Sequence, residues 1–248
     1  MGAVDWRQRL DEATANPPAV VTAHTFIKKW PTASQPVLLR CDDDREYVVK
    51  GTQAGRMVVN DQIVARLGDL AGAPVGTPAL VAVPQALVDA EPEMQHFSAG
   101  ISHGTEFIVG CSERQSYEHA SESANEPRFA ALAYLFGWMH AGDHQFIYEN
   151  ASPHLVHSVD HGHFFPNGPT WDAASLAGAA APTTDAGIVA GATLSAASLD
   201  TARNDFRPAT NDEVAAVVAA TPLTWGLAED EGEALCRYLA ERRDVLFS

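Results

Sequence analysis

Short apolar runs rich in β-branched residues mark the first part of the chain and predict strands. Residues 35–41 and 46–50 are two such runs, and the acidic stretch between them predicts the turn of a hairpin. Residues 19–27 and 74–84 are also expected to be extended, and residues 105–109 form a further predicted strand. Together these runs predict a small sheet.

Apolar residues at helical spacing predict five helices, most of them in the second half of the chain. The first covers residues 4–14, and the second carries Val59, Ile63, Leu67 and Leu70 and ends at Gly72. The third is capped by Asn125 and buries Phe129, Leu132, Phe136 and Met139. The fourth is capped near Asn211, and the fifth runs from about Asp230 to Leu246. Strands therefore precede helices. This is an α+β pattern, with a small sheet lobe followed by a helical lobe.

Two stretches lack apolar residues at the regular spacing of a helix or a strand. Residues 112–125 are polar and are predicted to be a loop or a connection between lobes, so the expected division of the chain is residues 1–110 and residues 111–248. Residues 166–198 are rich in Ala, Gly, Thr, Pro and Asp, and a mobile or irregular segment is expected there.

Composition excludes several classes of protein. The net charge of −16 over 248 residues argues against direct binding to nucleic acid, which requires clustered Lys and Arg. No apolar run is long enough to span a membrane, and the first residues do not resemble a secretion signal. The three cysteines are far apart in the sequence and fit a reducing compartment, so a cytoplasmic protein is expected.

Two aspartates provide the first candidate chemistry. Asp143 precedes one short predicted strand and Asp160 follows the next, with residues 149–153 as the turn between the strands. Such a hairpin brings both carboxylates to one cleft. There one can orient a hydroxyl nucleophile while the other holds a divalent metal ion on a phosphate chain, as in a kinase-type active site.

Lys50 is the second candidate, because it is one of only three lysines in the chain and it ends an apolar strand. A lysine on an inner strand needs an anion, and a nucleotide phosphate is one such partner. A strand-end lysine that reaches solvent is the ordinary alternative. Arg56, in a glycine-flanked loop, is a further candidate for a phosphate contact, and a solvated arginine is its ordinary interpretation.

Five motifs in order along the chain resemble the HipA-like kinase domain family, from about Gln35 to the end. They are Tyr47 to Lys50, Asn60-Asp61 with residues 67–72, Asp143 to Gln145, Ser158 to Gly162, and Arg237 to Arg243. The resemblance implies a bilobal, protein-kinase-like fold that uses ATP and Mg²⁺. It also implies a phosphoacceptor that is a protein serine or a small-molecule hydroxyl.

By position in this family, Lys50 would contact the nucleotide phosphates, Asp143 would be the catalytic base and Asp160 would bind the metal ion. Asp61 would replace the glutamate that tethers the lysine. It is one methylene shorter, so the tether is expected to be weak, water-mediated or absent.

Two further departures from the family concern the metal and nucleotide sites. The position of the metal-binding Asn is Tyr148, unless the loop is shorter and Gln145 provides the carboxamide. That second alignment places His140 where the catalytic Asp belongs. No glycine-rich nucleotide loop is visible either.

Two other functions compete with an active kinase. The missing motifs favour a catalytically dead kinase fold that acts as a nucleotide-binding or protein-interaction module. A zinc or iron enzyme is the other alternative, because six of the ten histidines lie between His140 and His163. Strand alternation opposes it, since His161 and His163 would point away from Asp160.

Overall fold

Five strands close into a barrel in the order β1-β2-β3-β5-β4, with β1 and β4 parallel and the other neighbouring strands antiparallel. The strands are β1 (Val20–Lys29), β2 (Val37–Cys41), β3 (Glu46–Lys50), β4 (Pro78–Val83) and β5 (Gly100–Glu106). The computed structural model describes residues 4–114 and 117–248. The hairpin predicted around the acidic turn is the pair β2 and β3.

Alternation along β3 positions the site. Tyr47 and Val49 point into the barrel and belong to its apolar core, whereas Val48 and Lys50 point outward and line a cavity beside the barrel. The barrel interior is therefore filled by its own side chains. The cavity lies on the outer face of the barrel.

A second sheet and most of the helices form the rest of the molecule. The sheet has the order β6-β7-β8, with β6 (Cys111–Arg114), β7 (Phe146–Glu149) and β8 (Val156–Ser158). The helices are α1 (Trp6–Thr14), α2 (Met57–Ala71), α3 (Gln85–Ala90), α4 (Glu126–Met139), α5 (Ala173–Ala177), α6 (Ala186–Gly191), α7 (Ala196–Asp205), α8 (Asn211–Ala219) and α9 (Glu229–Phe247). None of the helices in the described ranges is long and apolar enough to cross a bilayer.

Helix α4 is the centre of the helical lobe. It is apolar on nearly all sides, and its buried residues run without a break from Leu132 to Met139. Its C-terminal end leads through His140, which has a positive φ of 60°, into the loop that contains Asp143. The two-lobed α+β fold that the sequence predicts is thus confirmed.

Three sequence predictions need correction. The strand predicted at residues 105–109 is instead β5, which ends at Glu106. Its polar residues Ser102 and His103 are buried, and His103 is hydrogen-bonded to Gln62, while the apolar residues after Glu106 leave the sheet. The segment predicted as a loop from residue 112 begins with β6. Residues 117–125 contain no helix or strand, as predicted, and residues 115 and 116 lie outside the described residues.

Residues 166–198, expected to be mobile or irregular, contain the short helices α5 and α6 and the start of α7. Side chains of Asp172, Asp185 and Ser195 cap α5, α6 and α7 by accepting backbone N–H groups. Ile188 is fully buried against the main core. The irregular segment was expected from composition, which does not show single capping residues.

Helix α1 packs against the C-terminal helices, although it is far from them in sequence. Trp6 is buried in the same apolar core as α4 and α9, and the Arg7 guanidinium donates to Glu233 at 3.1 Å. The first helix therefore belongs with the helical lobe by packing.

Candidate active site

Lys50 holds the centre of the site through two ion pairs. Its Nζ atom donates to Asp61 Oδ2 at 3.0 Å and to Asp160 Oδ1 at 2.6 Å. The lysine is buried, with 5% of its surface exposed. Burial opposes its charge, but the two carboxylates outweigh burial and raise the pKa of Lys50.

Asp61 links three parts of the chain. While one oxygen accepts from Lys50, its Oδ1 atom accepts from the backbone nitrogen of His161 at 2.6 Å. Asp61 projects from the second turn of α2 and is buried. The weak or water-mediated tether expected for a short aspartate is therefore not what the structure has, since helix and strand lie close enough for direct contact.

Asn60 is a residue whose role was not predicted from the sequence. Its amide nitrogen donates to the carbonyls of Gly162 and Phe164 at 2.8 and 2.9 Å, and its Oδ1 accepts from Trp171 Nε1 at 2.8 Å. Asn60 thereby fixes the segment that follows Asp160. Three consecutive polar residues in a mostly apolar helix were the available signal.

Gln62 completes this polar stretch of α2. Its amide nitrogen lies 2.7 Å from His103 Nδ1, and in that orientation its oxygen faces the Arg66 guanidinium. Burial, and then the nearby charge of Lys50, hold the pKa of His103 well below its usual range. Burial likewise lowers the pKa of His161, whose Nε2 lies 2.9 Å from Ser158 Oγ. Both imidazoles are neutral near pH 7.

The β7–β8 hairpin brings the two predicted aspartates to one end. Phe146 pairs with Ser158, so the residues before β7 and after β8 lie at the same edge of the sheet. Gln145 Nε2 donates to Asp143 Oδ2 at 3.0 Å, while Asp143 Oδ1 is buried with no hydrogen-bond partner among the described residues.

Tyr148, at the position of the family's metal-binding Asn, is buried within the sheet. Gln145, by contrast, lines the same cavity as Asp160. Of the two, Gln145 therefore presents its carboxamide near Asp160.

A cavity of about 260 Å³ lies between the barrel and the second sheet. Lys50, Asp61 and Asp160 form its polar end. Its other walls include Trp30, Val48, Phe107 and Ile147. Lys28 Nζ lies 4.2 Å from the centroid of the Trp30 ring at this wall.

Arg56 does not join this group. Its Nη1 atom donates to Glu231 Oε1 at 2.7 Å, and its guanidinium lies 4.2 Å from the centroid of the Trp171 ring. The acidic first turn of α9 therefore pairs with the arginine that the sequence suggested as a phosphate contact. Arg56 lies among structural partners, not in the cavity.

The histidines between residues 140 and 163 have separate partners. His144 contacts Asp185 at 3.2 Å, and His157 contacts Glu149 at 3.1 Å. Among the described residues, only His154 of this stretch joins a group of three possible metal ligands. The convergent site expected for a metalloenzyme around Asp160 is absent from the described part of the chain.

Comparison with known proteins gives one family and one fold. A family model described as HipA-like kinase matches residues 26–162. A solved structure of the Helicobacter pylori proinflammatory kinase CtkA superposes with a TM-score of 0.58 at 10% identity, covering 92% of this chain and 95% of that one. A structure of the Golgi casein kinase with Mn/ADP bound has a TM-score of 0.46 at 10% identity, over 98% of this chain and 75% of that chain. No curated protein sequence matches the chain.

Proposed function

The chain belongs to the HipA-like kinase family, and from this we propose that it transfers the terminal phosphoryl group of ATP to a hydroxyl group. One observation supports the proposal most directly. A buried lysine bonded to two aspartates lies at one end of a cavity that Gln145 also lines, and Gln145 donates a hydrogen bond to Asp143. Positioning and charge stabilisation account for most of the catalysis in phosphoryl transfer, and this group can provide both.

The residues fit a magnesium–nucleotide complex by their chemistry. Asp160 and Gln145 line the cavity and offer a carboxylate and a carboxamide oxygen, which are the hard ligands that Mg²⁺ prefers. Mg²⁺, when bound, would neutralise charge on the phosphates. Lys50 would bind a phosphate oxygen and Asp61 would keep the ammonium in place.

Asp160 now neutralises Lys50, so these two residues must change partners when nucleotide binds. A phosphate oxygen can replace the Asp160 carboxylate on Lys50, because both are anionic acceptors of similar size. Asp160 is then free to ligate metal. Its side chain is 31% exposed, whereas that of Asp61 is 3% exposed, so Asp160 is the partner that can move.

Asp143 is the proposed base. Gln145 donates to one of its oxygens, and the other is buried and accepts no hydrogen bond from the part of the chain that the structure describes. An unpaired buried carboxylate oxygen is costly, so an acceptor hydroxyl that donates to it would satisfy the site. The acceptor is proposed to be a protein serine or a small-molecule hydroxyl.

The apolar part of the cavity suits the adenosine of ATP. Trp30, Val48, Phe107 and Ile147 offer flat and branched surfaces on which a purine ring can pack. We further propose that the chain divides near residue 110 into a nucleotide-binding lobe and a catalytic lobe, with α1 packed on the second. The three cysteines are all unpaired, which supports a cytoplasmic location.

A catalytically dead nucleotide-binding module is the second candidate. Two observations favour it: the turn of residues 30–36 between β1 and β2 contains no glycine, and Tyr148 occupies the usual Asn position. Such a protein would bind ATP without turning it over.

Calorimetric titration of ATP with and without MgCl₂, followed by a phosphotransfer assay, separates the two candidates. A kinase binds ATP in a Mg²⁺-dependent manner, and Asp160→Asn removes that dependence. Asp143→Asn should keep binding and lower kcat by about 10²-fold or more. Mg²⁺-dependent binding with no turnover by the parent protein would support the module, and absence of ATP binding would overturn both candidates.

A further inference from the structure

A second group of possible ligands lies in the helical lobe, at the β7–β8 turn. His119, Glu122 and His154 each offer a ligand atom, and these atoms all lie within 4.8 Å of one another. Among the side chains that the structure describes, no other three His, Cys, Asp or Glu residues bring ligand atoms this close. The hairpin separates this group from Asp143 and Asp160, since β7 alone has four residues and is roughly 13 Å long.

The surrounding structure holds the two histidines together. Asn125 is completely buried, and its amide nitrogen donates to the carbonyls of both His119 and His154, at 3.0 and 2.9 Å. Its Oδ1 accepts from the Val156 backbone nitrogen at 2.9 Å. The sequence places Asn125 where a helix cap is expected, but its side chain does not cap α4. It joins the two histidine-bearing segments instead.

The two imidazole rings lie against each other. The rings of His119 and His154 are stacked, with centroids 4.3 Å apart and an interplanar angle of 25°, so one ring must rotate for both lone pairs to point at one ion. His154 Nδ1 lies 3.0 Å from the Glu149 carbonyl and donates to it, which leaves Nε2 with its lone pair free. A second ring nitrogen fixed on a carbonyl is the usual arrangement of a metal-bound histidine. His154 holds this position with a φ of 50°, a conformation that non-glycine residues seldom adopt.

The spacing fits a first-row metal ion. His119 Nδ1 lies 2.8 Å from Glu122 Oε1. Two ligands of a tetrahedral zinc ion are about 3.3 Å apart, given zinc–ligand distances near 2.05 Å. A shift of about half an ångström in the Glu122 side chain would therefore let an ion replace the shared proton.

We propose that His119, Glu122 and His154 bind one zinc ion, which clamps the segment around residues 117–125 to the β7–β8 turn. Two imidazoles and one carboxylate form a ligand set that zinc accepts, with the fourth position left to water. All three residues are only partly buried, so the site is reachable from solvent. The ion would stabilise the lobe behind the aspartate hairpin and would take no part in phosphoryl transfer.

The test is a titration of the metal-free full-length chain with ZnCl₂, in the absence of nucleotide, by competition with a chromophoric chelator. We expect one tight site per chain and a rise in Tm on zinc addition. Glu122→Gln and His154→Ala should each weaken zinc binding by at least about 100-fold. Removing a residue that only orients a metal ligand typically weakens metal binding by about 10- to 100-fold, so a larger loss indicates a direct ligand. The zinc-dependent rise in Tm should disappear with them.

Two controls make the result specific. His24→Ala removes an exposed histidine on the barrel and should leave zinc affinity unchanged, and Asp160→Asn should leave it unchanged as well. If His154→Ala does not fold without metal, Glu122→Gln carries the test, because that substitution keeps the side-chain shape. Equal zinc affinity of Glu122→Gln and the parent chain, or loss of the site in Asp160→Asn, would overturn the proposal.

Discussion

The Oδ1 atom of Asp61 accepts a hydrogen bond of 2.6 Å from the backbone nitrogen of His161, the residue that follows Asp160. The same carboxylate binds Lys50 through its other oxygen. A helix of the first lobe thus holds both the phosphate-binding lysine that we propose and the backbone beside the metal-binding aspartate. Movement of α2 would therefore change both groups together.

Lys50→Met should abolish tight ATP binding and also reduce stability. A charge-assisted contact to phosphate contributes about 1.5–3 kcal/mol, so we expect the Kd for ATP to rise by roughly 10- to 150-fold. Asp61 would keep only its bond to His161, and breaking a buried ion pair from one side costs about 3–5 kcal/mol. Calorimetry and urea unfolding measure the two effects.

Lys28→Met is the matched control for this substitution. Lys28 lies at the rim of the same cavity, where it is exposed, and contacts no carboxylate through a described ion pair. We expect its stability to stay within about 0.5 kcal/mol of the parent chain. If Lys50→Met is as stable as Lys28→Met, the ion pairs of Lys50 contribute nothing to folding.

Arg56→Gln tests whether this arginine has any part in nucleotide binding. Its guanidinium is paired with Glu231 and stacked on Trp171, so we expect the Kd for ATP to change by less than about twofold. The free energy of unfolding should fall by about 1 kcal/mol, from the lost stacking and ion pair. Glu231→Gln should reproduce the loss of stability. A tenfold rise in the Kd for ATP in Arg56→Gln alone would return Arg56 to the phosphate site.

The fold and the site differ in how far the sequence predicts them. The β2–β3 and β7–β8 hairpins, α2 and α4 depend on spacing within one or two adjacent elements, and these elements form where the pattern indicates. Arg56 depends on Glu231, a partner 175 positions away, and no local pattern reports such a contact. The short helices after residue 166 depend on single capping side chains in a composition typical of irregular chain.

Asn60→Ala should be among the most destabilising substitutions in α2. It leaves the carbonyls of Gly162 and Phe164 and the indole N–H of Trp171 without their partner in a buried site. At about 1–3 kcal/mol for an unsatisfied buried group, with water satisfying part of the set, we expect a loss of about 2–4 kcal/mol. Asn204→Ala, at an exposed helical position, is the control and should change stability by less than about 0.5 kcal/mol. Equal urea midpoints for the two variants would contradict the proposed role of Asn60.

Stability should depend on pH through the buried histidines. Burial lowers the pKa of both His103 and His161, so neither takes up a proton in the folded chain just below neutrality. In the unfolded chain each binds a proton below about pH 6.5. The unfolded state then binds more protons, and the free energy of unfolding falls as the pH falls, by up to about 1.4 kcal/mol per pH unit for each histidine.

Urea unfolding at pH 7.5, 6.5 and 5.5 measures this dependence above the range in which most carboxylates titrate. We expect little change between pH 7.5 and 6.5 and a clear loss at pH 5.5. His103→Gln removes the larger of the two shifts, so its stability should depend less steeply on pH below 6.5, whatever its stability at pH 7.5. His24→Gln changes an exposed histidine and should keep the slope of the parent chain. A parent chain equally stable at pH 7.5 and 5.5 would mean that His103 and His161 accept protons in the folded state, and that the polar contacts of α2 can accommodate their charge.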